Sequence, residues 1–221
     1  MIAAIAEGKD REVAAALLRW GEEKLRDFPW RRTRDPYRIF VAEFLLQRTR
    51  AEQVVPVYRE LVREYPGFSE LARADPSRLL EIMRPLGLHR RARLLRDAAR
   101  TIVERFGGRV PSSMEELTSI GGVGTYTAAA ILAVLYDRPA PIVDTNTLRV
   151  LGRVFGLEVK ESSRKKREYR ELVKSLVPAG KARLFTYALL DLAATICTPR
   201  NPACDRCPLS RTCREGGRNG L

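Results

Sequence analysis

Between residues 11 and 196 the apolar side chains recur at helical spacing, and no two neighbouring runs alternate as paired strands do. That pattern predicts an all-α chain. In residues 11–26 the apolar positions 13, 17, 18, 20 and 25 lie roughly on one face. Pro29 and Pro36 then turn the chain through FPWRRTRDPY. Helices are expected over 37–48 and 51–65, the second interrupted or kinked near Pro56. SELARADPSRLLEIMRPLG predicts two short helices, with Asp75 an N-cap and Pro76 at the first helical position. Residues 90–106 form an arginine-rich amphipathic helix closed by Gly107 and Gly108. Further helices are expected over 143–154, 164–177 and 181–196, and no internal repeat or low-complexity segment is present.

A chain of 221 residues, 45% hydrophobic, supports one large domain or two small ones and is not globally disordered. No apolar run reaches the length of a membrane span, so no membrane partner is expected. The N-terminus carries Glu7, Asp10 and Glu12 and reads as a first helix, not a signal peptide. Lysine and arginine number 40 against 27 acidic residues, a formal charge of +13. Enrichment in arginine over lysine fits a hot or GC-rich source. The excess of base over acid points to a polyanionic partner, above all nucleic acid. The single histidine, His89, nearly excludes histidine-based catalysis and multi-histidine metal sites.

SSMEELTSI opens with a serine cap and an acidic first turn, and a very apolar helix starts near Thr125. Between them lies GGVGTYTA, residues 121–128. It lacks the Lys-Ser/Thr ending of a P-loop and the third glycine of a dinucleotide fingerprint. Helix, glycine turn and helix together make a helix-hairpin-helix. Gly122 and Gly124 let the backbone approach a ligand, and the amides from Thr125 onward face outward unpaired. A phosphate there is held by backbone amides and the helix dipole, without regard to base sequence. An ordinary helix–helix turn is the plainer alternative.

All four cysteines fall in the last 25 residues: Cys197, Cys204, Cys207 and Cys213, or C-x6-C-x2-C-x5-C. Four thiolates in one loop suit a tetrahedral zinc or an iron–sulfur cluster. A zinc ribbon has two C-x2-C knuckles, and here there is one. The wide first gap and Pro199, Pro202 and Pro208 suggest a loop around something larger than one ion, so a [4Fe–4S] cluster fits better. Disulfides are the remaining alternative.

The hairpin, followed by PIVDTNTLRV and then by this cysteine spacing, resembles the endonuclease III superfamily of DNA glycosylases, from about Phe28 to Cys213. The resemblance implies two all-α domains with a DNA cleft between them. A helical barrel with the hairpin would span 28–138, and an iron–sulfur domain would join 1–27 to 139–221. It implies a [4Fe–4S] cofactor and a monomer acting on mismatched double-stranded DNA inside a prokaryotic cell, at the nucleoid. Asp144 matches the family's essential aspartate. Breaking an N-glycosidic bond builds positive charge on the sugar, which a carboxylate stabilises while orienting or deprotonating a water. Asp144 also reads as the N-cap of the next helix, and the two roles can coexist.

Where endonuclease III-type enzymes carry a lysine that forms a Schiff base, this chain has Tyr126. A phenol forms no imine, so a monofunctional enzyme without strong strand cleavage is expected. Glu43, in VAEFLLQRT, matches the glutamate of MutY-type adenine glycosylases and could protonate a leaving base; a core-edge ion pair is its plainer role. FPWRRTRDPY, EFLLQRT and G-V-G-x-Y-T together resemble more closely the archaeal Mig-type glycosylases of T:G and U:G mismatches. The chain also stops eight residues after Cys213, leaving no room for the recognition domain of adenine glycosylases. Tyr126 would stack on or bond the flipped pyrimidine. Gln47 and Arg48 match residues reaching toward the orphan guanine, and Leu86 or His89, in PLGLHRRAR, would wedge into the emptied stack. Gly122, Gly124 and Thr125 would hold the phosphate. Trp20 and Trp30 read as core, and KESSRKKREYR as an exposed face. One departure from the family pattern is Ile120-Gly121 in place of Leu-Pro, which loosens the turn in the unfolded chain but spares the amides. The alternatives are an adenine glycosylase acting on A:G, or a non-catalytic helix-hairpin-helix DNA-binding module.

Overall fold

The computed structural model describes residues 8–87 and 89–216. Among them are eleven α-helices and no strand, so the all-α expectation holds. In chain order they are α1 (Lys9–Lys24), α2 (Pro36–Leu45), α3 (Ala51–Glu64), α4 (Phe68–Ala72), α5 (Pro76–Met83), α6 (His89–Phe106), α7 (Met114–Thr118), α8 (Thr125–Tyr136), α9 (Thr145–Phe155), α10 (Arg167–Leu176) and α11 (Ala182–Thr195). None of the described helices is long and apolar enough to cross a membrane. Contacts divide the chain into two compact units, residues 27–136 and the segment up to Arg26 together with residues from Asp137 on.

In the unit spanning 27–136, helix starts are set by side-chain caps. Asp35 accepts from the Arg38 amide, Asp75 from the Arg78 amide and Ser113 from the Glu116 amide. Pro36 and Pro76 occupy first helical positions, where a missing N–H costs nothing. Helix α8 is buried from Thr127 through Val134 on every side, so it forms the middle of the unit and packs against α2. An aromatic cluster adds to the core of the same unit. Phe28 stacks on Trp30 at 5.0 Å, Trp30 meets Tyr58 edge-on at 5.3 Å, and Phe68 lies edge-on to Tyr37 and Phe40. Trp30 is thus core, whereas Trp20 on α1 is only half-buried.

Two boundaries differ from expectation. Helix α3 runs unbroken through Pro56. Proline removes one hydrogen bond and crowds the preceding turn, but burial of Val54, Val57, Tyr58 and Leu61 on the same helix outweighs that. Helix α2 stops at Leu45, so Gln47 and Arg48 lie in the turn beyond it.

On the outer side of this unit Arg78 bonds three carboxylates: Glu64 (2.7 Å), Glu60 (3.0 Å) and Glu81 (2.7 Å). Hydrogen bonding to Arg78 holds the Glu64 carboxyl below its ordinary range. A folded-state carboxyl that is more acidic than the unfolded one contributes stability above the unfolded pKa and loses it as pH falls through the folded value. Arg78→Met is therefore expected to melt below wild type at pH 7. The gap should narrow in high salt and again as the pH drops below about 4, the unfolded glutamate range. Thermal melts across pH and salt measure it.

In the other unit α1 packs on α11 so closely that a Cβ on Gly21 would stand 2.9 Å from the Ala188 Cβ. Asp191 of α11, fully buried, accepts from both the amide and the Nε of Arg26, each at 2.8 Å. At the other end of α11 the Arg183 amide donates to Asp137 at 2.8 Å. Both residues at which this unit gives way to the inserted one are therefore tied to a single helix. Among the described side chains of residues 160–170 most are exposed, as expected, and Ser163 and Tyr169 are buried.

Candidate functional site

The hairpin consists of α7, the turn 119–124 and α8. The first backbone bond of α8 runs from the Ala128 amide to the Gly124 carbonyl at 2.9 Å. The amides of Gly124 and Thr125 thus precede the hydrogen-bonded ladder. A Cβ on Gly124 would meet nothing within 4 Å, so the backbone there is open to approach. Gly122 is required for two separate reasons. Its φ is +85°, and a Cβ would stand 2.8 Å from Phe44 Cζ of α2. Gly122→Ala is expected to destabilise the protein by roughly 2 kcal/mol or more, from left-handed strain and overpacking together. A denaturant titration reads the stability and a salt-dependent DNA-binding titration reads the turn.

In the unit spanning 27–136 one pair of sequence-predicted residues is brought together. Gln47 Nε2 donates to the Gly122 carbonyl at 3.0 Å, joining the turn after α2 to the hairpin. Arg48, exposed, follows with φ +56°, a left-handed conformation unusual for a side-chain-bearing residue. Glu43 is half-buried on α2, and Tyr126, in the first turn of α8, is 39% exposed. Leu86 is half-buried in the 3-10 turn Arg84–Leu86, which ends at Gly87 with φ +65°. His89 opens α6, but its side chain lies outside what the structure describes.

Asp144 belongs to the other unit and caps α9. Its Oδ1 accepts from the Asn146 amide at 2.8 Å and the Thr147 amide at 2.7 Å, while its own amide donates to Thr147 Oγ1 at 2.9 Å. This reciprocal box fixes the carboxylate's orientation. Its second oxygen, Oδ2, lies 3.5 Å from the Asn146 side-chain amide.

Further along α9, two arginines missed by sequence reasoning grip the cysteine loop. Arg149 donates from Nε to the Cys197 carbonyl (2.9 Å), from Nη2 to the Ala193 carbonyl (2.8 Å) and from Nη1 to Asn146 Oδ1 (3.0 Å). Arg153 donates from Nη1 to the Thr198 carbonyl (2.7 Å) and from Nη2 to the Pro199 carbonyl (3.2 Å). At the end of α9 the carbonyls of Val154 and Arg153 accept from the amides of Arg214 and Glu215 at 3.1 and 3.2 Å. The spacing of four between the arginines placed them on one helix face, but nothing marked them out among so many arginines.

The four cysteines line one pocket, walled by Val150, Val154, Leu192, Ile196 and Leu209. Arg153 Nη1 lies 3.5 Å from Cys197 Sγ, and the Gly216 amide lies 3.4 Å from Cys213 Sγ. Such donors favour sulfur that carries negative charge. Among the described residues no three Cys, His, Asp or Glu side chains close on a single-ion geometry. Four thiols converging on one pocket are the donor set of a [4Fe–4S] cluster. Burial pushes the Cys207 thiol up to about 11. Free of metal at neutral pH it stays protonated, and positive iron is what offsets four thiolates in one place.

Residues 197–213 match the iron–sulfur binding domain of endonuclease III. The motif holds a [4Fe–4S] cluster, and the chain's four cysteines all fall within it. The thymine/uracil-DNA glycosylase of Methanothermobacter thermautotrophicus is 37% identical over 202 residues, 91% of either chain. The thymine-DNA glycosylase of Aeropyrum pernix is 43% identical over 196 residues, 85% of this chain and 86% of that one. A solved thermostable thymine-DNA glycosylase superposes with a TM-score of 0.88 at 36% identity, covering 96% of this chain and 99% of that one. With residues 41–178 matching the family described as HhH-GPD superfamily base excision DNA repair protein, the chain belongs to that superfamily.

Proposed function

We propose that this protein is a monofunctional DNA glycosylase that removes thymine or uracil mispaired with guanine. The observation that carries the reading is the likeness, over most of both chains, to thymine/uracil-DNA glycosylases. Tyr126, at the position where a lysine would make the enzyme a lyase, agrees with it. In this reading the amides of Gly122, Gly124 and Thr125 hold a backbone phosphate, and the target nucleotide leaves the stack. Leu86 or His89 fills the gap, Gln47 and Arg48 face the orphan guanine, and Tyr126 receives the pyrimidine.

Hydrolysis then breaks the bond between sugar C1′ and the base nitrogen. The electron pair leaves with the base, and Glu43 supplies the proton that neutralises it. Positive charge left on the sugar is stabilised by Asp144. Water adds its oxygen to C1′, and its proton passes to the Asp144 carboxylate. The product is a free base and an intact strand with an abasic site. The [4Fe–4S] cluster, held by Cys197, Cys204, Cys207 and Cys213, supplies a cross-link within its loop when bound.

Base release from T:G, U:G and A:G duplexes tests the reading. Thymine and uracil should appear, with the strand cut only after hot alkali, and borohydride should trap no covalent adduct. Release of adenine alone, or a trapped adduct, would overturn it. Release from no duplex would favour a non-catalytic DNA-binding module.

A further inference from the structure

Helix α6 carries six arginines against two acidic residues, Asp97 and Glu104. Three of the six, Arg90, Arg91 and Arg93, stand within its first five residues, and no acid stands in its first turn. Positive charge at that end opposes the helix dipole, so helix stability does not account for them. Arg91 has an internal task, because its Nη1 donates to the Gln47 carbonyl. Arg90, Arg93, Asp97 and Arg100 follow one another at spacings of three and four and form one stripe, whose three arginines are exposed. One edge of the stripe borders the hairpin. Leu94 is 39% exposed there, and its Cβ lies 3.4 Å from where a Cβ on Gly122 would stand. The charges around the stripe are poorly matched. Asp97 faces three guanidinium groups: Arg93 Nε at 3.6 Å, Arg96 Nε at 4.0 Å and Arg100 Nη2 at 3.5 Å. A well-made bond between guanidinium and carboxylate is about 2.7–2.9 Å long, so all three are loose. Arg96 Nε is buried without a hydrogen-bond partner among the described residues, and the Arg93 side chain is 84% exposed. Exposed pairs this loose contribute little, so a better acceptor displaces the carboxylate readily. A phosphodiester oxygen is such an acceptor, and release of its counterions adds to the exchange.

We infer that the outer stripe of α6 is a second phosphate-binding surface beside the hairpin, on which Arg93 and Arg100 exchange Asp97 for phosphates of duplex DNA, whether or not a mispair is present. Asp97 acts as the brake. It reclaims the guanidinium groups when the duplex leaves, so the hold on undamaged DNA is weaker than the arginines alone would make it. The hairpin offers backbone amides, whereas the stripe offers side chains whose competing anion is built in. The inference rests on the chain binding DNA, and not on which base it removes.

The test is binding of the full chain with its cluster to an undamaged duplex, titrated at several salt concentrations. Each phosphate contact contributes about −0.9 to the slope of log K against log salt concentration. Arg93→Met and Arg100→Met should each make the slope shallower by about that amount and weaken binding severalfold. Asp97→Asn should tighten binding severalfold. In the Arg93→Met/Arg100→Met background most of that gain should vanish, because the carboxylate then has nothing to withhold. Two controls on the same helix separate a contact from net charge. Arg105→Met, twelve positions beyond Arg93 and so about 18 Å along the axis, should leave the slope unchanged. Glu104→Gln should tighten binding less than Asp97→Asn does. If Arg100→Met fails to fold, Arg100→Gln takes its place with the same expected slope. A slope unchanged in both arginine variants overturns the inference. So does a gain from Asp97→Asn that matches Glu104→Gln and survives in the double-arginine background, or a wild type that does not bind the undamaged duplex at low salt. Absence of thymine release from a T:G duplex would overturn the glycosylase reading and leave this surface standing.

Discussion

Asp144→Asn is expected to slow thymine release from a T:G duplex by at least 10²–10³-fold, roughly the loss seen when one charge-stabilising group is removed, with little change in melting temperature. The separation of the two effects follows from the cap. Oδ1 of Asp144 accepts the amides of Asn146 and Thr147, and asparagine caps about as well as aspartate. What asparagine lacks is the negative charge that the developing sugar cation requires. Asp144→Ala removes both functions and should in addition cost about 1 kcal/mol of stability, or roughly 2–4 °C for a chain of this size. Single-turnover kinetics and melts of both variants measure the split. A normal rate in Asp144→Asn would show that the residue serves only as the helix cap.

Loss of the cluster should have the other large effect, on the unit that contains α9. The cysteine loop and α9 hold each other through Arg149 to Cys197, Arg153 to Thr198 and Pro199, and the Arg214 and Glu215 amides to the end of the helix. Each bond is worth about 1 kcal/mol net. A loop freed of its cross-link releases the set, several kcal/mol in all, which corresponds to a melting temperature lower by on the order of 10 °C. The same helix begins at Asp144, so base release should fall with it. Cluster-free protein, prepared by chelation or as Cys197→Ser, compared with the loaded form by circular dichroism and by base release, decides this. Equal melting temperatures would show that the loop keeps its bonds to α9 without the cluster.

What the sequence disclosed depended on where the determining forces lie. Asp75, Ser113 and Asp144 act on amides two or three residues away, so their caps were legible from local order alone. The hairpin and the cysteine spacing were legible for the same reason. No interruption occurs at Pro56, because its cost is local and the burial of Val57, Tyr58 and Leu61 that outweighs it is not. The end of α2 was placed too late because its turn is held from a distance by Gly122 and Arg91. Arg149 and Arg153 went unseen because an arginine that grips carbonyls looks, in a sequence, like one that faces solvent. Among site residues, Gln47 gained most from the structure, which shows its amide engaged with the hairpin.

The anchoring of Arg26 and Asp137 to α11 bears on how such a chain can be rebuilt. Their contact points on that helix, Asp191 and Arg183, are eight positions apart, or about 12 Å along the axis at 1.5 Å per residue. A tether of roughly six residues spans that distance with slack to turn. Residues 27–136 thus leave and rejoin the rest of the chain at two points that are both tied to α11. A short glycine–serine bridge in place of residues 27–136 should therefore leave Arg26 and Asp137 within reach of their partners on α11.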